Sequence, residues 1–190
     1  MHKVLGLGIG TAAIIATGLI PTAAWAATTP SPSATSSTPA GSDPDTIVTF
    51  TITVGALSMT APATANLGSG APGGTISSDM GQVTVTDNRA LLSAAWTATA
   101  SATSFTTGAG STDETIPASD VNYNPGSITT TGRITVTGTE RTLSGSPQTV
   151  VAGTAGVGDN SATWDPGLVV SVPQASVGGV YTGTLTESVS

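Results

Sequence analysis

The sequence has no cysteine, a single histidine (His2), and only 4 lysines and arginines against 11 aspartates and glutamates in 190 residues. Without cysteine there is neither a disulfide framework nor a thiolate ligand. With its one histidine near the N-terminus, the rest of the chain cannot build a Ser-His-Asp triad or a His-ligated zinc site. Arg89, Arg133 and Arg141 are too few for the basic stripe that nucleic acid requires. No basic amphipathic helix suggests a peripheral membrane role.

Charged residues make up 8% of the chain, against roughly 25% in average proteins. Thr, Ser, Ala and Gly fill the gap. Thr favours strands, and Gly, Pro, Asn and Ser punctuate them, so the composition indicates an all-β protein with many turns.

The N-terminal residues 1–26 read as a secretory signal peptide. Lys3 supplies the positive start, Val4–Ile20 the apolar run, and Ala24-Trp25-Ala26 the small-x-small cleavage pattern. No later stretch is long and apolar enough to span a bilayer, so the expected product is secreted, with no transmembrane segment. Residues 27–45 hold Pro30, Pro32, Pro39 and Pro44 and no large apolar side chain. They read as a disordered spacer whose Ser/Thr-with-Pro composition also suits O-glycosylation.

From Thr46 onward the pattern is one of strands. Val48, Phe50, Ile52 and Val54 alternate with Thr49, Thr51 and Thr53, a strong strand signal. A short run over Ala56–Ala61 follows, and Asn66–Gly74 reads as loop. The centre of the domain is Val83–Phe105, where two alternating runs, Val83–Thr86 and Ala94–Ala100, are joined by the turn formers Asp87-Asn88-Arg89. Trp96 is the largest apolar side chain there and is expected at the centre of the core. Thr106–Gly126 is the longest irregular part. Further strands are expected over Ser127–Thr139, Gln148–Ala152, Trp164–Val172 and Gly179–Ser190, with a glycine-rich turn at Gly153–Asn160. Roughly eight or nine short strands at this spacing indicate an antiparallel β-sandwich over residues 46–190.

Nothing in the domain reads as catalytic machinery. Gly153-Thr-Ala-Gly156-Val-Gly158 has no following helix and is not a phosphate-binding loop. Asp113, Glu114, Asp120, Asp159 and Asp165 lie in expected loops. Such acids are more often solvated than paired for glycoside hydrolysis. They offer the hard oxygen ligands that calcium takes, but no D-x-[DN]-x-[DN]-G loop organises them, so no metal or cofactor is assigned. Binding is better supported than catalysis. Tyr123, between Asn122 and Asn124, and Trp164, beside Asp165, are candidate rings for stacking on sugars, or else for packing a loop against the sandwich rim.

Two patches carry a family resemblance. Asp87, Arg89 and Trp96 resemble the D-x-R-x(n)-W-x-L segment of the WxL domain of Gram-positive surface proteins, with Ala98 at the leucine position. Tyr181, Leu185 and Thr186 resemble its closing Y-x-x-x-L-T-W-x-L segment, with Glu187 in place of the second tryptophan and Val189 of the final leucine. The ending is more similar to actinobacterial-type members. The resemblance implies a β-sandwich-like domain held noncovalently on the cell wall, with peptidoglycan or an associated polysaccharide as partner. An expectation of another class is a structural or adhesive surface subunit, pairing with other surface proteins through exposed strand edges such as that of the final strand.

Overall fold

Twelve strands and two short 3-10 turns, Thr112–Glu114 and Ala118–Asp120, make up the domain, and every strand pairing is antiparallel. The computed structural model describes residues 46–190; the signal peptide and the spacer expected from the sequence lie outside the described residues. Thr49–Ser190 forms one compact unit.

The strands are β1 (Leu57–Thr60), β2 (Thr75–Asp79), β3 (Val83–Asp87), β4 (Ala94–Ala102), β5 (Phe105–Thr106) and β6 (Thr115–Ile116), followed by β7 (Val121–Asn124), β8 (Ile128–Gly138), β9 (Arg141–Thr142), β10 (Gln148–Trp164), β11 (Gly167–Ser171) and β12 (Leu185–Val189). One sheet runs β1-β3-β10-β4-β12, with β8 also on β10. A second runs β2-β11-β7-β9, and β5 and β6 form a small pair. The ends of the larger sheet, β1 and β12, approach each other without a ladder between them, so that sheet is nearly closed. This is the all-β sandwich that the alternation predicts.

Side-chain alternation sorts the residues into faces. β3 turns Val83, Val85 and Asp87 inward, and β4 turns Ala94, Trp96, Ala98, Ala100 and Ala102 inward. From the other sheet come Val121 and Tyr123 of β7 and Leu168 and Val170 of β11, all in one core cluster. A run of alanines leaves room for one large ring, and Trp96 occupies it at 2% exposure.

Three departures from the expected pattern have physical causes. First, β3 and β4 are not partners of each other; both pair with β10, at its two ends. Second, Gly153–Asn160 is not a turn but the middle of the 17-residue β10. Two of its glycines serve close approach rather than reversal: a Cβ on Gly153 would run into the Trp96 ring, and one on Gly156 would come within 2.9 Å of the Ala94 Cβ. The register slips between Thr149 and Val151 and again beyond Gly153, as bulges do. The first slip lets the neighbours Val150 and Val151 both face the core. Third, the alternating residues from Val48 to Val54 form no strand. A period of two specifies a ribbon with two faces but not the neighbour it must bond to, and among the described residues no ladder includes it. Phe50, Ile52 and Val54 are 85%, 74% and 69% exposed.

Candidate functional site

Two sets of residues stand out, and the register separates them. The first is the corner between β3 and β4. The Asp87 carboxylate is fully buried, and Arg89 grips it in a fork: Nε donates to Oδ1 and Nη2 to Oδ2, both at 2.8 Å. The Arg89 backbone N–H also donates to Oδ1, and Nη2 reaches the Ala95 carbonyl. The hydrogen bond from the Arg89 side chain holds the Asp87 carboxyl below the ordinary aspartate range against the opposing effect of burial, with help from the Arg89 backbone N–H and charge. A paired charge of this kind fixes a turn. Asp87, Arg89 and Trp96 therefore shape the corner and the core; Asp87 and Trp96 are buried, and Arg89 keeps 30% of its side chain in water.

The second is a groove of about 860 Å³ beside β12, walled by Leu185 and Tyr181, floored by Leu168, Val170 and Met80, and bounded on its far side by the chain from Ala61 to Gly70. Leu185 is opposite Ala102 on the adjoining β4, six positions along from Trp96, or about 20 Å at ~3.3 Å per strand residue. Trp96 and Leu185 therefore lie apart, while the two motif segments meet farther along the same pair of strands, where Val189 is opposite Ala98. The Tyr181 hydroxyl lies 2.9 Å from the Val177 carbonyl and 3.1 Å from that of Asp113, tying the groove's rim loop to the 3-10 turn at Thr112–Glu114. Thr186 faces outward, exposed, on the other side of β12.

Among the described residues Glu187 is the one charged side chain in the lining of the groove. Beneath it a relay crosses both sheets. Trp164 Nε1 donates to the Tyr123 hydroxyl at 2.9 Å, and that hydroxyl donates to Glu187 Oε1 at 2.7 Å. Tyr123 and Trp164 are 0% and 2% exposed, so the stacking on sugars expected of exposed rings is not open to them. They hold the carboxylate from below. Burial, and then the nearby Glu187 charge, push the Tyr123 phenol well above its ordinary range. Burial likewise raises the Glu187 carboxyl, and the Tyr123 hydrogen bond pulls it partly back.

Glu187 stands where the closing segment departs from the WxL pattern that it resembles, and nothing in the sequence marked it as a site. The signal was present: Leu185, Glu187 and Val189 share one face of the final strand, so a carboxylate had to point the same way as two apolar neighbours.

Because the folded protein holds the Glu187 proton more tightly than the unfolded chain, stability from this group is full below the ordinary carboxylate value. It is lost as pH rises through the elevated folded value. Glu187→Gln keeps an oxygen for Tyr123 and removes the charge. Its melting temperature is expected to exceed that of the wild type at neutral pH, with the gap closing in acid; melting curves across that range check it.

Two of the loop acids have local duties. Glu114 Oε2 accepts the Ser111 N–H at 2.9 Å, and Asp165 Oδ1 accepts that of Gly81 at 3.0 Å. Among the described residues no three His, Asp or Glu groups gather as metal ligands, and no helix is long and apolar enough to cross a membrane.

Fold and groove together define an antiparallel all-β domain with an apolar cleft that carries, among the described residues, a single carboxylate. Comparison with protein-family models, with curated proteins and with solved structures returns no match.

Proposed function

We propose that the protein is secreted and acts as a noncatalytic binding module, associating with the cell wall by taking a segment of peptidoglycan, or of a polysaccharide attached to it, into the groove beside β12. The observation that carries this reading is the groove itself, apolar on its floor, rich in Ser, Thr and Gly at its rim, and provided with one carboxylate. Ligand clefts combine apolar walls with a few placed polar groups in this way. A wall polymer supplies the counterparts: sugar C–H faces for the floor, hydroxyl and amide groups for the rim, and ammonium or hydroxyl donors for Glu187. The WxL resemblance at Tyr181 and Leu185 supports the same surface.

The test is cosedimentation with peptidoglycan sacculi stripped of protein and teichoic polymers. The wild type is expected to be retained, and soluble wall fragments to compete it off. Glu187→Gln should weaken retention about tenfold, the scale of one charge-assisted hydrogen bond. Val180→Asp, at an 85% exposed rim position, should weaken it without lowering the melting temperature. A folded protein that stays in the supernatant overturns the reading.

A further inference from the structure

The domain carries an alternating segment outside any sheet and, among the described residues, a sheet edge without a partner. Thr49–Val54 runs outside every ladder, with Phe50, Ile52 and Val54 turned to solvent at 85%, 74% and 69% exposure. β8 is eleven residues long and bonds to β10 on one side; among the described residues its other edge has no partner. We propose that Thr49–Val54 of one copy adds to the free edge of β8 in a second copy, so that the chain associates head to tail with itself.

Three observations support that occupant. The first is the match of faces. On β8 Ile128, Ile134 and Val136 are half-buried against the core margin, while Thr129, Thr131, Thr135 and Thr137 face solvent. A strand laid alongside with Phe50, Ile52 and Val54 on the inner face would cover that margin, and Thr49, Thr51 and Thr53 would extend the threonine face. Strand addition draws affinity from main-chain hydrogen bonds and specificity from alternate side chains.

The second is that the chain cannot do this to itself. Leu57, Asp87, Asn160 and Gly132 form one row across the sheet, from β1 through β3 and β10 to β8. A strand beyond β8 lies four spacings from β1, about 19 Å at ~4.8 Å each. Crossing that distance takes about six residues at ~3.4 Å, which is all of Thr49–Val54 and leaves none to pair. The starting point is also fixed, because Gly55 N–H donates to the Asn88 carbonyl at 2.7 Å and Asn88 N–H to that of Ala56 at 3.1 Å.

The third is that donor and acceptor surfaces differ. Such a heterologous contact propagates from copy to copy, into an open chain or a closed ring. The inference uses the edge of β8, not the groove, and stands or falls separately from wall binding.

The experiment is sedimentation velocity on the full chain over a wide concentration range, with the Phe50→Asp, Ile52→Asp double variant beside it. The wild type is expected to form species larger than a dimer as concentration rises. The variant should remain monomeric with an unchanged melting temperature, since both side chains are exposed in the single copy. The protein has no native cysteine. Chains carrying Thr53→Cys, mixed under oxidation with chains carrying Thr135→Cys, should therefore give a mixed disulfide pair. A wild type that is monomeric throughout, association that survives in the aspartate variant, or failure of the mixed pair to form would each overturn the proposal.

Discussion

Trp96→Ala is expected to destabilise the domain by about 3–5 kcal/mol, the range for deleting a buried tryptophan. The ring is 2% exposed, and its neighbours along the inward row of β4 are alanines, too short to collapse into the space it would leave. Its indole nitrogen is buried with no hydrogen-bond partner, so packing alone holds the ring, and Trp96→Phe should keep most of the stability. The opposite perturbation, Gly153→Ala, pushes a methyl into the ring and should cost about 1–3 kcal/mol by overpacking. Because one contact is probed from both sides, the two alanine changes should be non-additive: with the ring gone, the added methyl has space. Urea unfolding of the four variants and the wild type checks this. Equal costs for Gly153→Ala with and without Trp96 would show that the close approach is not what constrains position 153.

Arg89→Ala should have an effect of about 3 kcal/mol, the lower end of the range for removing one partner of a buried ion pair. The lower end applies because Arg89 keeps 30% of its side chain in water while Asp87 keeps none. The loss leaves the Asp87 carboxylate buried at the β3–β4 corner with its main counterion gone. The pH dependence follows from the direction of its shift. The folded state holds Asp87 below its ordinary value of about 3.9, so the stability from the pair is present above that value and is lost as pH falls through the depressed one. The difference in melting temperature between wild type and Arg89→Ala should therefore be widest near neutral pH and close in strong acid. A gap that stays constant down to about pH 2 would show that the guanidinium contributes packing rather than charge.

The strand content of the domain was legible because alternation is a local property. β1, β8, β12 and both runs around Trp96 fall where the period of two puts them, and Trp96 is in the core. Pairing was less legible, since it depends on what stands next to a strand. The six residues linking β3 to β4 read as an ordinary turn between partners, whereas both strands bond to residues far along the chain. Gly153–Asn160 read as punctuation because the residues that crowd Gly153 and Gly156, Trp96 and Ala94, are more than fifty positions away. Val48–Val54 carried a strong period and forms no strand, because among the described residues it has no ladder partner.

The candidate site was less legible still. Tyr123 and Trp164 stood out as aromatics, but a sequence cannot say which of them ends beneath a groove instead of in it. Glu187 was visible only as an exception to a pattern. Its significance depends on a hydroxyl sixty-four positions earlier in the chain.

The long β10 also sets when the domain can form. It is the common partner of β3, β4 and β8, and it occupies residues 148–164. Until it is available, β3 and β4 have no shared ladder to join, and the alanine row around Trp96 has nothing to close on. Folds governed by such distant pairings are slow, on the order of milliseconds to seconds. A chain that emerges N-terminus first stays open until most of its length is out. The strand that completes the architecture is among the last to arrive.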